Sequence, residues 1–268
     1  MKSITLVVFV FLISIQNNFS QNGWTLQYSS GGYLCDIEFL DANTGICVGW
    51  GGQILKTTNA GSDWTSSPIF TTTNDLYKIE IIDSLNVIIG ALNKIYRTSN
   101  FGTSWDSSSV APVWKVEDLV HKDGRTWACG RNILLRSTNI GENWITTTFV
   151  PILQQMNLSS ICIIDSLRIF IVSYEWNSYP LTGWAGRVQK STDGGSSWTN
   201  SLIIYGSSSR LLNKISFIDS NSGFVGGYNS FFYTTNAGAN WTEGSGAINM
   251  EVENLHFLDA ETGYCIGN

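Results

Sequence analysis

The chain spells one eight-residue phrase five times: a hydroxyl residue, any residue, Asn or Asp, any residue, Gly, two more, then Trp. The copies are TTNAGSDW from Thr57, TSNFGTSW from Thr98, STNIGENW from Ser137, STDGGSSW from Ser191 and TTNAGANW from Thr234. Their tryptophans, Trp64, Trp105, Trp144, Trp198 and Trp241, lie 41, 39, 54 and 43 residues apart. Self-similarity at a period near 40 residues means an array of like supersecondary units rather than one irregular core.

Each unit reads as four short strands. In the unit before Trp105, LYKIEIID, NVIIGAL and KIYRT precede the phrase, and a short stretch follows it. These runs of Ile, Val, Tyr and Thr are separated by Asp, Asn, Ser and Gly, the signature of antiparallel strands and tight turns. No segment beyond the extreme N-terminus carries a 3.6-residue apolar period, so almost no helix is expected. First strands align at Leu34–Leu40, Leu76–Ile82, Val116–Val120, Leu158–Ile164, Leu212–Phe217 and Val252–Leu258. Most lead into a turn opened by Asp, as at Asp41–Gly45, Asp219–Gly223 and Asp259–Gly263. An Asp side chain there accepts backbone N–H groups two residues on.

The phrase itself belongs to the turn between third and fourth strands. Asn59, Asn100, Asn139, Asp193 and Asn236 supply a side-chain acceptor, and Gly61, Gly102, Gly141, Gly195 and Gly238 supply backbone freedom. The tryptophans pack beneath the turn. Four of the five acceptors are neutral Asn, whereas a calcium loop concentrates carboxylates; the boxes read as structural, with no metal or cofactor expected.

Radial repetition of four-stranded sheets is a β-propeller, which leaves only short edges. The phrase matches the Asp-box (BNR-type) repeat over the whole chain after the leader. In the first unit, FLDANTGICVGWGGQILKTTNAGSDW resembles the propeller family of photosystem II stability and assembly factors. That resemblance implies a partner-binding propeller, typically of seven blades, and secreted relatives also occur in non-photosynthetic bacteria.

The expected architecture is therefore all-β, with blades near 34–68, 76–109, 116–149, 158–202 and 212–244 and a partial sixth at 252–268. Trp24–Ser29 is expected as an outermost strand of the last blade. Asn268 falls where a third strand of the sixth unit should begin, which suggests a fragment of a longer ring. Lys2 and the apolar run Ile4–Ile15 fit a secretory signal peptide over residues 1–20, too short for a membrane span, ahead of a propeller over 21–268. A secreted or extracytoplasmic protein is expected. Cys35, Cys47, Cys129, Cys162 and Cys265 are odd in number and unpatterned, and read as small apolar side chains rather than disulfides. A net charge of −6 excludes the basic stripe that nucleic acid needs.

Binding chemistry is sought on the face opposite the boxes. The 54-residue spacing marks an insertion, Tyr174–Gly186, between second and third strands. It carries Tyr174, Trp176, Tyr179 and Trp184, rings suited to stacking on a sugar or anchoring a protein, or to packing on each other. Positions after the second strands give Trp50, Asn93, Arg131 and Tyr228, with Lys94 beside them. Catalysis finds little support. Sialidases share the box, but their Arg-Ile-Pro motif is absent. Asp-box endoglucanases place two carboxylates across a cleft between two propellers, and here Asp36, Glu38, Glu80, Glu117 and Asp118 qualify only as exposed acids. His121 and His256 have no second ligand at metal spacing. The expectation is a non-catalytic scaffold for a partner protein; the alternative is a polysaccharide-binding module or a partial Asp-box glycosidase.

Overall fold

The computed structural model describes residues 7–8, 27, 32–67, 73–109, 115–147, 156–177, 183–206, 211–244, 251–257 and 262–267. Trp24 and Tyr179, with the expected strand around Trp24, lie outside the described residues. The N-terminal strand β1 (Val7–Val8) runs parallel to the last strand, Val7 opposite Tyr264 and Val8 opposite Cys265. The remaining strands form five four-stranded antiparallel sheets and a last antiparallel pair, the blades of a β-propeller.

Blade one is β2 (Leu34–Phe39), β3 (Gly45–Gly49), β4 (Ile54–Thr57) and β5 (Thr65–Ser66); a 3₁₀ turn at Trp50–Gly52 is its one helical feature. Blade two is β6 (Leu76–Ile81), β7 (Val87–Ala91), β8 (Lys94–Thr98) and β9 (Asp106–Ser109). Blade three is β10 (Val116–Lys122), β11 (Arg125–Gly130), β12 (Ile133–Ser137) and β13 (Ile145–Thr147). Blade four is β14 (Met156–Ile163), β15 (Ile169–Asn177), β16 (Gly183–Ser191) and β17 (Thr199–Gly206). Blade five is β18 (Leu212–Phe217), β19 (Gly223–Gly227), β20 (Ser230–Thr234) and β21 (Thr242–Glu243); β22 (Val252–Phe257) and β23 (Gly263–Gly267) begin a sixth.

The chain divides into two compact units, one of Met1–Ile13, Cys129–Leu134 and Thr147–Asn268, the other of Ser14–Ala128 and Leu135–Thr146. In the second, Ile46, Val48 and Ile54 of blade one close on Leu76, Ile79, Val87, Ile89 and Tyr96 of blade two. In the first, Val172, Val188 and Ile204 of blade four close on Leu212, Ile215, Val225 and Phe232 of blade five. Second strands are apolar on both faces because each is covered on both sides, as the wholly buried β3, β7 and β19 show.

The boxes fold as one motif. In the first, Thr57 Oγ1 accepts the N–H groups of Asn59 and Gly61, at 3.3 and 2.9 Å, and donates to Asn59 Oδ1 at 3.0 Å. Asn59 Oδ1 then accepts the N–H of Asp63 at 2.9 Å. The same bonds recur at Thr98–Asn100, Ser137–Asn139, Ser191–Asp193 and Thr234–Asn236. Two residues in succession turn left-handed: Ala60 and Gly61 have φ of 58° and 81°, and Ala237 and Gly238 have 53° and 70°. The first of each pair is usually not glycine, and its N–H repays the strain by bonding the Asp-opened turn of its own blade: Ala60 to Asn43 O, Phe101 to Leu85 O, Gly194 to Leu167 O and Ala237 to Asn221 O. Box tryptophans are half-buried rather than fully buried. Trp241 donates its indole N–H to Ser201 Oγ at 2.8 Å across the seam between blades four and five.

All five cysteines are free thiols. Cys47, Val225 and Cys265 face the equivalent first-strand residues Ile37, Ile215 and Leu255, the positional equivalence expected of small apolar side chains.

Candidate functional site

In the unit holding blades one and two, first strands are laced together by their own acids. Asp36 Oδ2 accepts the N–H of Ile79 at 3.1 Å, and Glu38 Oε2 accepts that of Ile81 at 2.5 Å. One blade on, Glu80 Oε1 accepts the N–H of His121 at 2.7 Å. Burial is the main reason Glu38 titrates at about 7 and Glu80 at about 8; the mutual repulsion of Glu38 and Glu80 adds to the second. Asp36 is also raised, again by burial first, with Lys78 opposing. Asp118, picked from sequence as an exposed acid, is only 4% exposed. A polar residue on a first strand is unremarkable in sequence, yet here it serves the neighbouring blade. His121 Nδ1 lies 2.8 Å from Thr126 Oγ1, and burial lowers its pKa.

The turns after second strands place the rim residues. Asn93, Asn132 and Asn229 occupy left-handed turn positions, with φ of 59°, 58° and 49°. Asn93 is therefore one place beyond the positions of Trp50, Arg131 and Tyr228; the sequence alignment missed this because Leu92 resembles a strand residue. Each of those turns is clamped to the start of the next blade's first strand. Gly51 N–H donates to Asp75 Oδ1 at 2.9 Å, Arg131 bridges Asn157, and Tyr228 bridges Glu251. The backbone is thus structural, while the side chains remain outside: Trp50 is 47% exposed and Tyr228 40%, and Arg131 is exposed as well. Tyr33, which sequence reading passed over, packs against Trp50 with ring centroids 4.6 Å apart and the planes tilted by 52°. Lys94 begins β8 and is half-buried.

A bulge near the start of the first strand recurs in five units, between Leu34 and Asp36, Leu76 and Lys78, Leu158 and Ser160, Leu212 and Lys214, and Val252 and Asn254. Bulges re-aim one side chain, here Cys35, Tyr77, Ser159, Asn213 and Glu253. Tyr77 thereby meets Asp75 Oδ2 at 3.4 Å and carries Lys115 over its ring at 5.1 Å.

Blade four departs from the repeat, and its departure corrects the sequence reading. Of the stretch read as a loop inserted between strands, residues 174–177 and 183–186 are a lengthening of the strands themselves. β15 and β16 run nine residues each and β17 runs eight, where the equivalent strands of blade five have five, five and two. The ladder extends to Trp176 opposite Trp184 and Trp184 opposite Gly206. Alternation then sorts the side chains into two faces. On one, the Tyr174 and Trp184 rings lie 6.0 Å apart at 57°, and Asn157 Nδ2 donates to the Tyr174 hydroxyl at 2.6 Å; these two rings of the aromatic cluster pack on each other. On the other, Ser173, Glu175, Arg187 and Gln189 are all buried. Arg187 Nε donates to Glu175 Oε1 at 2.7 Å, and its Nη2 bonds the same oxygen. Tyr205, at 50% exposure, crowns the edge strand and was not singled out from sequence.

Trp-anchored Asp-box turns on four-stranded antiparallel blades make this chain an Asp-box β-propeller resembling the photosystem II assembly-factor propellers. Among solved structures, YCF48 from Cyanidioschyzon merolae is similar at 13% identity over 87% of this chain and 92% of that one, with a TM-score of 0.52. An ancestral GH74 enzyme is similar at 17% identity and a TM-score of 0.60, over 85% of this chain but 33% of its own. The extracellular domain of BT4673 from B. thetaiotaomicron gives 12% identity and a TM-score of 0.69, over 92% of this chain and 33% of its own. At such identities the likeness is one of fold. No family model matches the chain, and no curated protein does either. Among the described residues, no helix is long and apolar enough to cross a membrane.

Proposed function

We propose that this chain is a secreted, non-catalytic propeller scaffold that binds a partner protein. The observation that carries the reading is how its polar and aromatic groups are disposed. Asp36, Glu38 and Glu80, the acids a glycosidase would need free, accept backbone N–H groups of the next blade. Tyr33, Trp50, Tyr205 and Tyr228 are meanwhile exposed, and exposed Tyr and Trp on a rigid scaffold are the side chains from which protein hot spots are built. The YCF48 likeness agrees with a scaffold role. The GH74 likeness keeps a glycan ligand as the competing reading.

Photo-crosslinking residues placed at Trp50 and at Tyr228, in the organism that encodes the chain, test the proposal. A discrete protein adduct, with a blank polysaccharide array and no release of sugar from a polysaccharide panel, is the expected result. Array binding abolished by Trp50→Ala, or hydrolysis abolished by Glu80→Gln, would replace it with the glycan reading.

A further inference from the structure

Fourth strands are the sheet edges of this fold, and four of the five are blunt. β5, β9, β13 and β21 are two to four residues long and mostly exposed, reading TS, DSSS, ITT and TE. Short or charged edges are how sheets avoid pairing with other chains. β17 breaks that rule: TNSLIIYG is eight residues, with no charge and with Leu202, Ile203, Ile204 and Tyr205 in succession. Among the described residues it pairs only with β16. Its first half is engaged, since Ser201 Oγ bonds Gly238 O and Trp241 Nε1 of blade five. Leu202–Gly206 continues the ladder beyond that contact, opposite Val188, Arg187, Gly186, Ala185 and Trp184.

We propose that the outer edge of Leu202–Gly206 is a strand-addition site, at which an extended, uncharged segment of a partner protein joins blade four as a fifth strand. This deepens the protein-scaffold reading and rests on it. Three observations select the occupant. The stretch is five residues, the length over which an extended peptide pairs main chain to main chain. It offers no charge for a charged partner to match, because the one ion pair beside it, Glu175 with Arg187, is buried and internally neutral. A second copy is disfavoured, because pairing two such short edges buries well under the roughly 1,200 Å² that a stable dimer needs.

The probe is the fluorescent peptide Ac-TVTYTVT-NH₂, compared with the same peptide N-methylated at alternate residues and with Ac-EVEYEVE-NH₂. Anisotropy should show saturable binding of the first to the intact protein, weakened at least about tenfold by N-methylation, which removes the ladder donors of one strand edge. Hydrogen exchange of amides in Leu202–Gly206 should slow on binding, and Tyr205→Lys should weaken the affinity without shifting the melting curve. Equal binding of the N-methylated peptide, outward-facing amides of 202–206, those not paired to β16, already protected in the free protein, or a dimer dissolved by Tyr205→Lys would each overturn the proposal. If the edge fails while the Tyr228 crosslink still captures a protein, only the strand-addition site falls. If neither responds, the scaffold reading falls with it.

Discussion

Glu80→Gln should make the protein more stable at pH 8 and leave it nearly unchanged at pH 5. Glu80 is raised from 4.5 to about 8 by burial and by the charge of Glu38. The groups that act on it are Glu38, Asp36 and Asp118 and the His121 N–H that it accepts; Lys78 reaches the cluster only through Asp36, at 3.9 Å. A carboxyl whose pKa is higher folded than unfolded binds its proton more tightly in the fold. Its contribution is complete below the unfolded pKa and is lost as pH rises through the folded one, so stability falls between about pH 5 and pH 8. A shift from 4.5 to about 8 corresponds to about 5 kcal/mol at 1.36 kcal/mol per unit. Partial solvent access and the coupling to Glu38, itself at about 7, reduce this to roughly 2–4 kcal/mol. Glutamine keeps an oxygen for the His121 N–H and cannot ionise. At pH 8 it should therefore raise Tm by roughly 5–12 °C, given about 2–4 °C per kcal/mol for a chain of this size. Urea melts and calorimetry of both proteins at pH 5, 6, 7 and 8 provide the measurement. Asp106→Asn, an exposed carboxyl on β9, controls for the general effect of net charge. Parallel stability profiles for wild type and Glu80→Gln would refute the reasoning.

Thr234→Val removes the hydroxyl that accepts two turn N–H groups and bonds Asn236; chemical denaturation should show a loss of about 1–3 kcal/mol, and an unchanged midpoint would dismiss the box as a fold determinant. Trp241→Phe loses the bond to Ser201 and part of the packing against Phe217, and should cost about 1–3 kcal/mol, read by the same melts. Arg187→Met leaves Glu175 buried without its cation and should destabilise by about 3–5 kcal/mol, whereas the double change Glu175→Leu with Arg187→Met should recover most of that. A double variant no better than the single would mean that packing, not charge, holds the lengthened hairpin.

Repeat period, strand order and the Asp-opened turns were legible because each is a local backbone demand answered by a particular residue. Asp41, for instance, bonds the N–H groups of Asn43 and Thr44 as its type and place imply. The first left-handed residue of each box was not legible, since Ala60, Phe101 and Ile140 are poor advertisements for positive φ; Ala60 and Phe101 are held there by a bond to the Asp-opened turn of their own blade. Strand length in blade four was hidden for a related reason. YEWNSYPLTGWAG breaks alternation with Pro180 and Gly183, which reads as a loop, although the ladder continues to Asn177 opposite Gly183. Inter-blade roles were least visible of all, because Glu38 and Ile81 are 43 residues apart and nothing local to Glu38 marks it as an acceptor for that backbone.

The repeat also separates what is structural from what is available. A residue type that recurs at one position from blade to blade answers a demand of the fold, as the hydroxyls do in all five boxes, the rim asparagines in three blades and the lysines ahead of boxes in two. Lys56 bonds Phe101 O, and Lys190 bonds Ala237 O, the same tie one blade onward. Selection for a partner acts on single positions instead, and so it should surface where one blade differs from its sisters. Blade four differs most: among the described residues it alone has a long apolar fourth strand, and it carries an exposed Tyr205 and a buried ion pair inside its lengthened hairpin. Lengthening three strands orders more than a dozen residues, at a backbone cost of about 1–2 kcal/mol each, and the buried Glu175–Arg187 pair supplies little net stability in return. The other blades fold without such an extension, so the lengthening is not a demand of the repeat itself.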